Sequence, residues 1–352
     1  MTQNNNQKNH LNKGMIATIL LIGLMFFSIV WSIDGPEKLL KSILSANPLW
    51  LILAILIFLG SWLAESLVLH VLIKGLLRAD QPFKESLSLS VLGKLFDYAT
   101  PMATGGQPVQ VWRMSRQGIS VGGATSVMLL RFIVFQLVTT LLSVLAFVGG
   151  FNFFGRIKLG FGVMITVGMT INLVVMFLLV SVVFMAKKIA KIGEKLIIFL
   201  AKINIIKNRL VAIEKLHREV EAFADSSRLM FKNKRLLVKA IGLTALQVVL
   251  FHLVAYTVFV ALGAPLHKIW LAFLASLFVW IGTAFIPLPG ASIGVEAAFY
   301  LFFEAVYKDG AAIGLAMMVW RIVTYYMPIV IGLIVYIKDK HLKAKGVFGC
   351  NF

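Results

Sequence analysis

Apolar residues run through this chain in blocks far longer than a soluble core helix needs, and two of the blocks are broken by proline and glycine. Unbroken runs cover about residues 14–33, 49–73, 121–150, 160–186, 236–262 and 311–337. Each is long enough to cross a bilayer, which takes roughly 18 or more consecutive apolar residues. Two further apolar regions, about 86–110 and 268–307, carry the interruptions. The first is Thr100-Pro101-Met102-Ala103-Thr104-Gly105-Gly106-Gln107-Pro108. The second is Ile286-Pro287-Leu288-Pro289-Gly290-Ala291-Ser292-Ile293-Gly294-Val295-Glu296. Irregular backbone at membrane depth is tolerated only where it is packed in protein or lines a polar cavity. A pair of such breaks, one in each half of a chain, is a sequence pointer to a transport site.

The predicted fold class is therefore an all-α polytopic membrane protein. It has about six full spans plus two broken re-entrant helical hairpins in an inverted-repeat arrangement. Composition agrees: 59% of residues are hydrophobic and only 14% charged, where a soluble domain carries nearer a quarter charged residues. The run at 14–33 follows a polar, basic segment and resembles a signal peptide. It ends in Ile33-Asp34-Gly35-Pro36 with no small-x-small cleavage site, so a retained first helix is expected.

A formal charge of +19 changes the picture only through its placement. Basic residues collect between the spans, as the positive-inside rule requires. With the N-terminus inside, the cytoplasmic segments are 74–85 (Lys74, Arg78, Lys84), 187–235 with thirteen Lys/Arg against five acids, and a tail with Lys338, Lys340, Lys343 and Lys345. For the count to close, 86–110 enters from the cytoplasm and returns to it, while 268–307 enters from outside and returns there. Nucleic-acid binding is not expected, since there is no recognition helix and no zinc-finger spacing. The single cysteine, Cys350, excludes an intrachain disulfide and a Cys-based metal cluster. It also stands third from the end, where a prenylation box needs it fourth.

The domains expected are a cytoplasmic tail at 1–13, a transmembrane domain at 14–340 and a cytoplasmic tail at 341–352. The connector 187–235 has Ile189, Ile192, Leu196, Phe199, Leu200 and Ile203 at helical spacing, beside Lys187, Lys188, Lys191, Lys195 and Lys202. A helix lying on an anionic leaflet and a solvated link between the halves both fit that pattern.

Ionisable residues inside spans mark functional positions, because a bare charge at mid-bilayer costs at least about 2.5–3.5 kcal/mol. The set is Glu65, Lys94, Asp97, Arg131, Glu296, Glu304 and Arg321, with His70 and His252 as weaker members. Lys94 and Asp97, three apart, share a helix face and read as mutual glue ahead of a site. Glu65 and His70 read as residues near a cytoplasmic span end that snorkel to headgroups. Arg131, Glu296 and Arg321 lie in long apolar stretches and each needs a partner or water. Glu296 opens a returning helix, where a carboxylate is favoured by the dipole, and Arg131 or Arg321 is its expected counter-charge. Structural pairing and headgroup binding remain open for these three, since guanidinium also grips phosphate. At the first break, Gly105-Gly106 permits close approach, and a helix restarting near Gln107 would offer N–H groups to an anion. Arg113, Arg116 and interfacial Trp112 follow, giving either a phosphate cradle or ordinary anchors. Soluble-enzyme signatures such as a phosphate loop, a dinucleotide fingerprint or a nucleophile elbow do not occur. No catalytic residue, cofactor or metal is expected.

The two broken motifs carry a family resemblance. Pro101 to Arg113, with its Gly-Gly-Gln-Pro core, and Phe285 to Gly290 continuing through Gly294-Val295-Glu296-Ala297-Ala298 resemble the lysylphosphatidylglycerol synthase transmembrane, flippase-like family over about residues 14–340. Many relatives are acidic where Gln107 stands, which argues against a proton-linked role there. In full-length lysyltransferases the resemblance implies a membrane region that moves aminoacylated lipid to the outer leaflet, beside a cytosolic domain that uses Lys-tRNA. This chain ends about fifteen residues after its last span, so that domain is expected to be absent.

The function expected is binding and translocation of phospholipid between leaflets, anionic or aminoacylated as in lysyl-phosphatidylglycerol, in a bacterial inner membrane with both termini cytoplasmic. Gly105, Gly106, Gln107, Arg113, Arg131, Pro287, Pro289, Gly290, Glu296 and Arg321 would line or shape the route. Alternatives are a phosphatidylglycerol lysyltransferase acting with a separate synthase chain, and a non-transporting scaffold for envelope synthesis. The partners expected are phospholipids, with a second copy or a separate synthase chain besides.

Overall fold

The computed structural model describes residues 44, 46–77, 80–154, 159–202, 208–283, 286, 288, 290, 291, 293–308 and 310–338. The run expected at 14–33, both tails and the prolines Pro287 and Pro289 lie outside the described residues. Those described form helices and connecting turns with no strand. In chain order the helices are α1 (Pro48–Leu77), α2 (Phe83–Ala99), α3 (Gly106–Arg116), α4 (Val121–Phe154), α5 (Leu159–Phe184), α6 (Ala186–Lys202) and α7 (Arg209–Lys232). They continue with α8 (Lys234–Ala261), α9 (Ile269–Thr283), α10 (Gly294–Tyr307), α11 (Gly310–Arg321) and α12 (Met327–Lys338). Six stretches among them are long and apolar enough to cross a membrane: Pro48–Leu77, Val121–Gly150, Ile165–Phe184, Lys234–Ala261, Leu266–Thr283 and Ala312–Lys338. Five coincide with expected spans. The other, Leu266–Thr283, is the first arm of the second broken hairpin, and its 18 residues reach about 27 Å. That arm is as long as a thin bilayer core is thick, which the proline-broken reading of 268–307 concealed.

A closely packed antiparallel pair, α1 and α8, forms the spine. Asn47 N donates to Ala261 O at 2.8 Å at one end, and Gly75 lies against Leu236 at the other. The absence of a side chain at Gly75 is what lets the two helices close there, since an added Cβ would come within 2.8 Å of Leu236. Around the spine, buried Val68, Leu72, Leu89, Met114, Val127 and Leu130 form one apolar core. A larger one, holding Phe259, Phe278, Phe299, Phe302, Phe303 and Trp320, fills the space between α8, α9, α10 and α11.

Both breaks become helical hairpins, and they open in opposite directions. The first consists of α2 and α3; His70 Nδ1 lies 3.2 Å from Ser86 Oγ near its open end, on the face where α1 ends. The second consists of α9 and α10. Its open end is tied by Lys268 Nζ donating to Val306 O at 2.6 Å, on the face where α8 ends. Each apex reaches the interior of the final span. Between α11 and α12, residues Ile322–Tyr326 form a π-helical turn. Pro328 accounts for it, because it has no N–H to give to Thr324 O, four residues earlier. That released carbonyl accepts from Tyr98 Oη at 2.9 Å, while Tyr325 Oη donates to Tyr98 O at 3.1 Å. The end of α2 is thereby pinned deep inside Ala312–Lys338.

The first apex is built by side chains replacing missing backbone bonds. Gly105 N donates to Thr100 Oγ1 at 2.8 Å and Gly106 N to Asp97 Oδ1 at 2.9 Å, so two orphan N–H groups at the start of α3 are capped across the turn. These two groups are thus held by the protein itself. Met102, Ala103, Ala291 and Ile293 all have left-handed φ, at 55°, 52°, 49° and 71°. For branched Ile293 that is a strained backbone, and all four fall in the two breaks.

Gly106 packs so closely on the Gly93 carbonyl and Asp97 that an added Cβ would collide with both. Gly106→Ala is expected to lower stability by about 1–3 kcal/mol. Gly242→Ala on α8, where nothing lies within 4 Å, is expected to leave stability unchanged or raised. Thermal unfolding of the two detergent-solubilised variants checks this, and equal melting temperatures would mean the apex is not packed as described.

Candidate functional site

Where the apices meet, charges that hydrocarbon would reject are gathered into two groups. Glu65, inside α1 and 6% exposed, faces two cations. Its Oε2 is 2.9 Å from Lys94 Nζ of α2, and its Oε1 accepts from Arg131 Nη1 of α4 at 3.1 Å. Gln247 Nε2 of α8 donates to Oε2 at 3.3 Å, and Gln247 is itself placed by Ser61 Oγ donating to its carbonyl at 2.9 Å. Four helices thus converge on one carboxylate. Glu65 is a buried hub and does not snorkel to headgroups; two opposite charges make its burial tolerable. Lys94 finds its counter-charge there and not in Asp97, whose carboxylate caps α3.

The second group joins α10 to the final span. Arg321 Nε donates to Glu296 Oε1 at 2.8 Å, and Nη2 lies 2.6 Å from the same oxygen. Arg321 Nη1 donates to Gly290 O at 3.2 Å, so one guanidinium holds both the second break and the helix that follows it. Of the two counter-charges expected for Glu296, Arg321 is the one realised. Arg321 lies well inside the 27-residue stretch Ala312–Lys338, about 14 Å along the axis from Ala312. Helix α10 therefore starts within the depth of the final span. The hydrogen bond at Oε1 comes from Arg321 Nε, whereas Glu296 Oε2 and Arg321 Nη2 are buried with no hydrogen-bond partner among the described residues.

Two tyrosines bridge the groups. Lys94 Nζ lies 6.0 Å from the Tyr98 ring, the Tyr98 and Tyr325 rings are 4.9 Å apart, and the Arg321 guanidinium sits 5.2 Å from the Tyr325 ring. Cations over aromatic faces are attracted by the ring quadrupole, so the chain Arg131–Glu65–Lys94–Tyr98–Tyr325–Arg321–Glu296 is continuous. Gly290, at φ 59°, presses on the Tyr325 ring so closely that a Cβ would collide with it. Beside this chain, Pro101, Met102, Ala103 and Thr104 at the first apex are exposed. Exposed turn backbone at this depth calls for a polar cavity.

The positions expected from sequence divide clearly. Arg131, Gly290, Glu296 and Arg321 lie in the two groups, and Gly105 and Gly106 build the adjoining apex, with Gln107 half-buried on the first turn of α3. Arg113 stands apart. At the far end of α3, its Nη2 donates to Glu85 Oε2 at 2.8 Å, and Gln117 Nε2 donates to the same oxygen at 2.9 Å. Arg116 stacks near Trp112 at 5.4 Å. These contacts tie the open end of the hairpin. Tyr98, Thr324, Tyr325 and Gln247 were missed. Pro328 inside an apolar run was the available signal for the first three, since a proline there frees a carbonyl.

Removing the hub charge should be costly. Glu65→Gln leaves Lys94 and Arg131 without their carboxylate, and a loss of about 3 kcal/mol is expected. Tyr98→Phe removes a single hydrogen bond to Thr324 O and should cost about 1 kcal/mol. Denaturant titration of detergent-solubilised variants measures both, and a Glu65→Gln protein as stable as the parent would show that the carboxylate is not the hub.

A "UPF0104 membrane protein" of Archaeoglobus fulgidus is 24% identical over 322 residues, which cover 90% of this chain and 94% of that protein. The family described as the lysylphosphatidylglycerol synthase TM region matches residues 15–332, taking in both broken hairpins and both charged groups. The chain is a multi-pass membrane protein that belongs to the lysylphosphatidylglycerol synthase TM-region family, a family linked by its description to lipid handling.

Proposed function

We propose that this protein binds phospholipid headgroups at the meeting point of its two hairpins and moves them between leaflets. The observation that carries the proposal is the opposite sense of the hairpins, whose apices both contact Tyr325 of the final span, the first through Tyr98 and the second through Gly290. A headgroup crossing the bilayer must leave water without a large desolvation cost. A line of fixed charges and aromatic faces at mid-depth, flanked by a hairpin open to each side, supplies that environment.

The chemistry favours a phosphate-bearing headgroup. Around Glu65 two cations share one carboxylate, and the Arg131 guanidinium is suited to phosphate oxygens. An amine-bearing headgroup would add a donor for Glu296 Oε2, which has none from the protein among the described residues. Anionic and aminoacylated phosphatidylglycerol both fit. With the N-terminus inside, the first hairpin would open to the cytoplasm, and the host membrane would be a bacterial inner membrane.

Reconstituted vesicles containing fluorescent phosphatidylglycerol, quenched from outside by dithionite, test the reading. Loss of fluorescence beyond the outer-leaflet fraction is expected with the parent protein. Glu296→Gln and Arg321→Gln should each slow it about tenfold, the equivalent of one charge-assisted hydrogen bond. Lys308→Gln, at the end of α10, should leave it intact. Parent-like lipid movement by well-folded Glu296→Gln and Arg321→Gln proteins would remove the charged chain from the route.

A further inference from the structure

We infer that α6 is a membrane-docking helix whose outer face sits on an anionic phospholipid leaflet. The inference is independent of whether the hairpins carry lipid. The structure decides between the two readings of this segment because it shows which side of α6 the protein itself uses.

Inward, α6 packs on α7. Glu194 Oε1 lies 2.8 Å from His217 Nε2, Gly193 faces Leu216 so closely that an added Cβ would come within 2.9 Å, and Ala190 is buried. Outward, Ile192, Leu196 and Phe199 are 68%, 56% and 59% exposed. At 100° per residue they fall within an arc of about 60°. Lys188, Lys191 and Lys195, all exposed, line one flank of that arc. A solvated connector has no use for three large apolar side chains in a row on its outer face.

What covers the face follows from where α6 begins. Its first residue, Ala186, comes two residues after Phe184, where the apolar span Ile165–Phe184 ends, so the helix starts at the membrane boundary. The lipid-facing side chains of that span, Val174, Phe177 and Leu178, are exposed, as are Phe184 and Met185 at its end. Apolar surface therefore continues from the span onto α6. The other end of the pair is fixed at the same boundary. Phe231, at the end of α7, stacks on Phe184 at 6.0 Å between centroids, and α8 enters its span directly afterwards. In addition, Gly122 N at the start of α4 donates to Glu219 Oε2 of α7 at 2.6 Å, so α7 lies across the ends of the spans. A helix held flat at this boundary, apolar below and lysine-flanked, matches an interfacial helix on anionic lipid.

Spin labels attached to single cysteines in a Cys350→Ser background test this in the full chain. Ile192→Cys, Leu196→Cys and Phe199→Cys report from the apolar arc, and Glu221→Cys on α7 serves as a water-exposed reference. In vesicles of phosphatidylcholine and phosphatidylglycerol, the three arc labels should be relaxed several-fold more by oxygen than by a water-soluble nickel chelate, unlike the label at 221. Replacing Lys188, Lys191 and Lys195 by Gln, or omitting phosphatidylglycerol, should reduce that preference. Arc labels as open to the nickel chelate as the reference would overturn the inference. An oxygen preference indifferent to both lipid charge and the lysines would overturn its anionic component. Spin–spin broadening that disappears on dilution with unlabelled protein would assign the face to a second copy instead.

Discussion

A polar group placed in hydrocarbon must find its partner within the protein, and this constraint organises the whole molecule. Among the described residues, unbroken helix satisfies its own backbone. The two broken segments and the Pro328 turn of the final span cannot, so the structure has to supply substitutes. Thr100 and Asp97 cap the start of α3, Arg321 takes the carbonyl of Gly290, and Tyr98 takes the carbonyl that Pro328 releases. Arg321 belongs to one of the charged groups, and Tyr98 links the two through Lys94 and Tyr325. The breaks, the charges and the π-helical turn are therefore one feature of the fold.

This arrangement gives the hairpins a shared mechanical point. Tyr325 touches Tyr98 of the first hairpin and Gly290 of the second, and Arg321 four residues earlier holds Glu296. A displacement of either apex must be accommodated at the same turn of the final span. Left-handed backbone at Met102, Ala103, Ala291 and Ile293 shows that both apices are held against local preference. Strain of this kind persists only where the surroundings over-determine it. It is concentrated where headgroup passage is proposed.

The helical class and most span positions were legible because apolar length is a local property of sequence. The breaks were legible for the same reason, through their prolines and glycines. Partner choice was not. Lys94 has Asp97 three residues away, yet it pairs with Glu65 from another helix, because Asp97 is committed to Gly106 N. Glu65 was discounted on its assumed depth alone, while its cations come from residues 94 and 131. The Tyr98–Tyr325 contact joins residues 227 positions apart, and no spacing rule reaches that far. Arg113 likewise takes a partner that spacing does not reveal, Glu85 from the neighbouring arm.

The central claim is that two hairpins open to opposite faces and meet at the final span. Sided labelling tests it most directly, using a membrane-impermeant thiol reagent on sealed vesicles of uniform orientation. Single cysteines in a Cys350→Ser background would report from the two open ends: Lys84→Cys at the first hairpin and Lys308→Cys at the second. The structure predicts that one of them reacts from outside the vesicle and the other only after the membrane is opened. Equal labelling of both from the same side would contradict the opposed hairpins, and with them the proposed route.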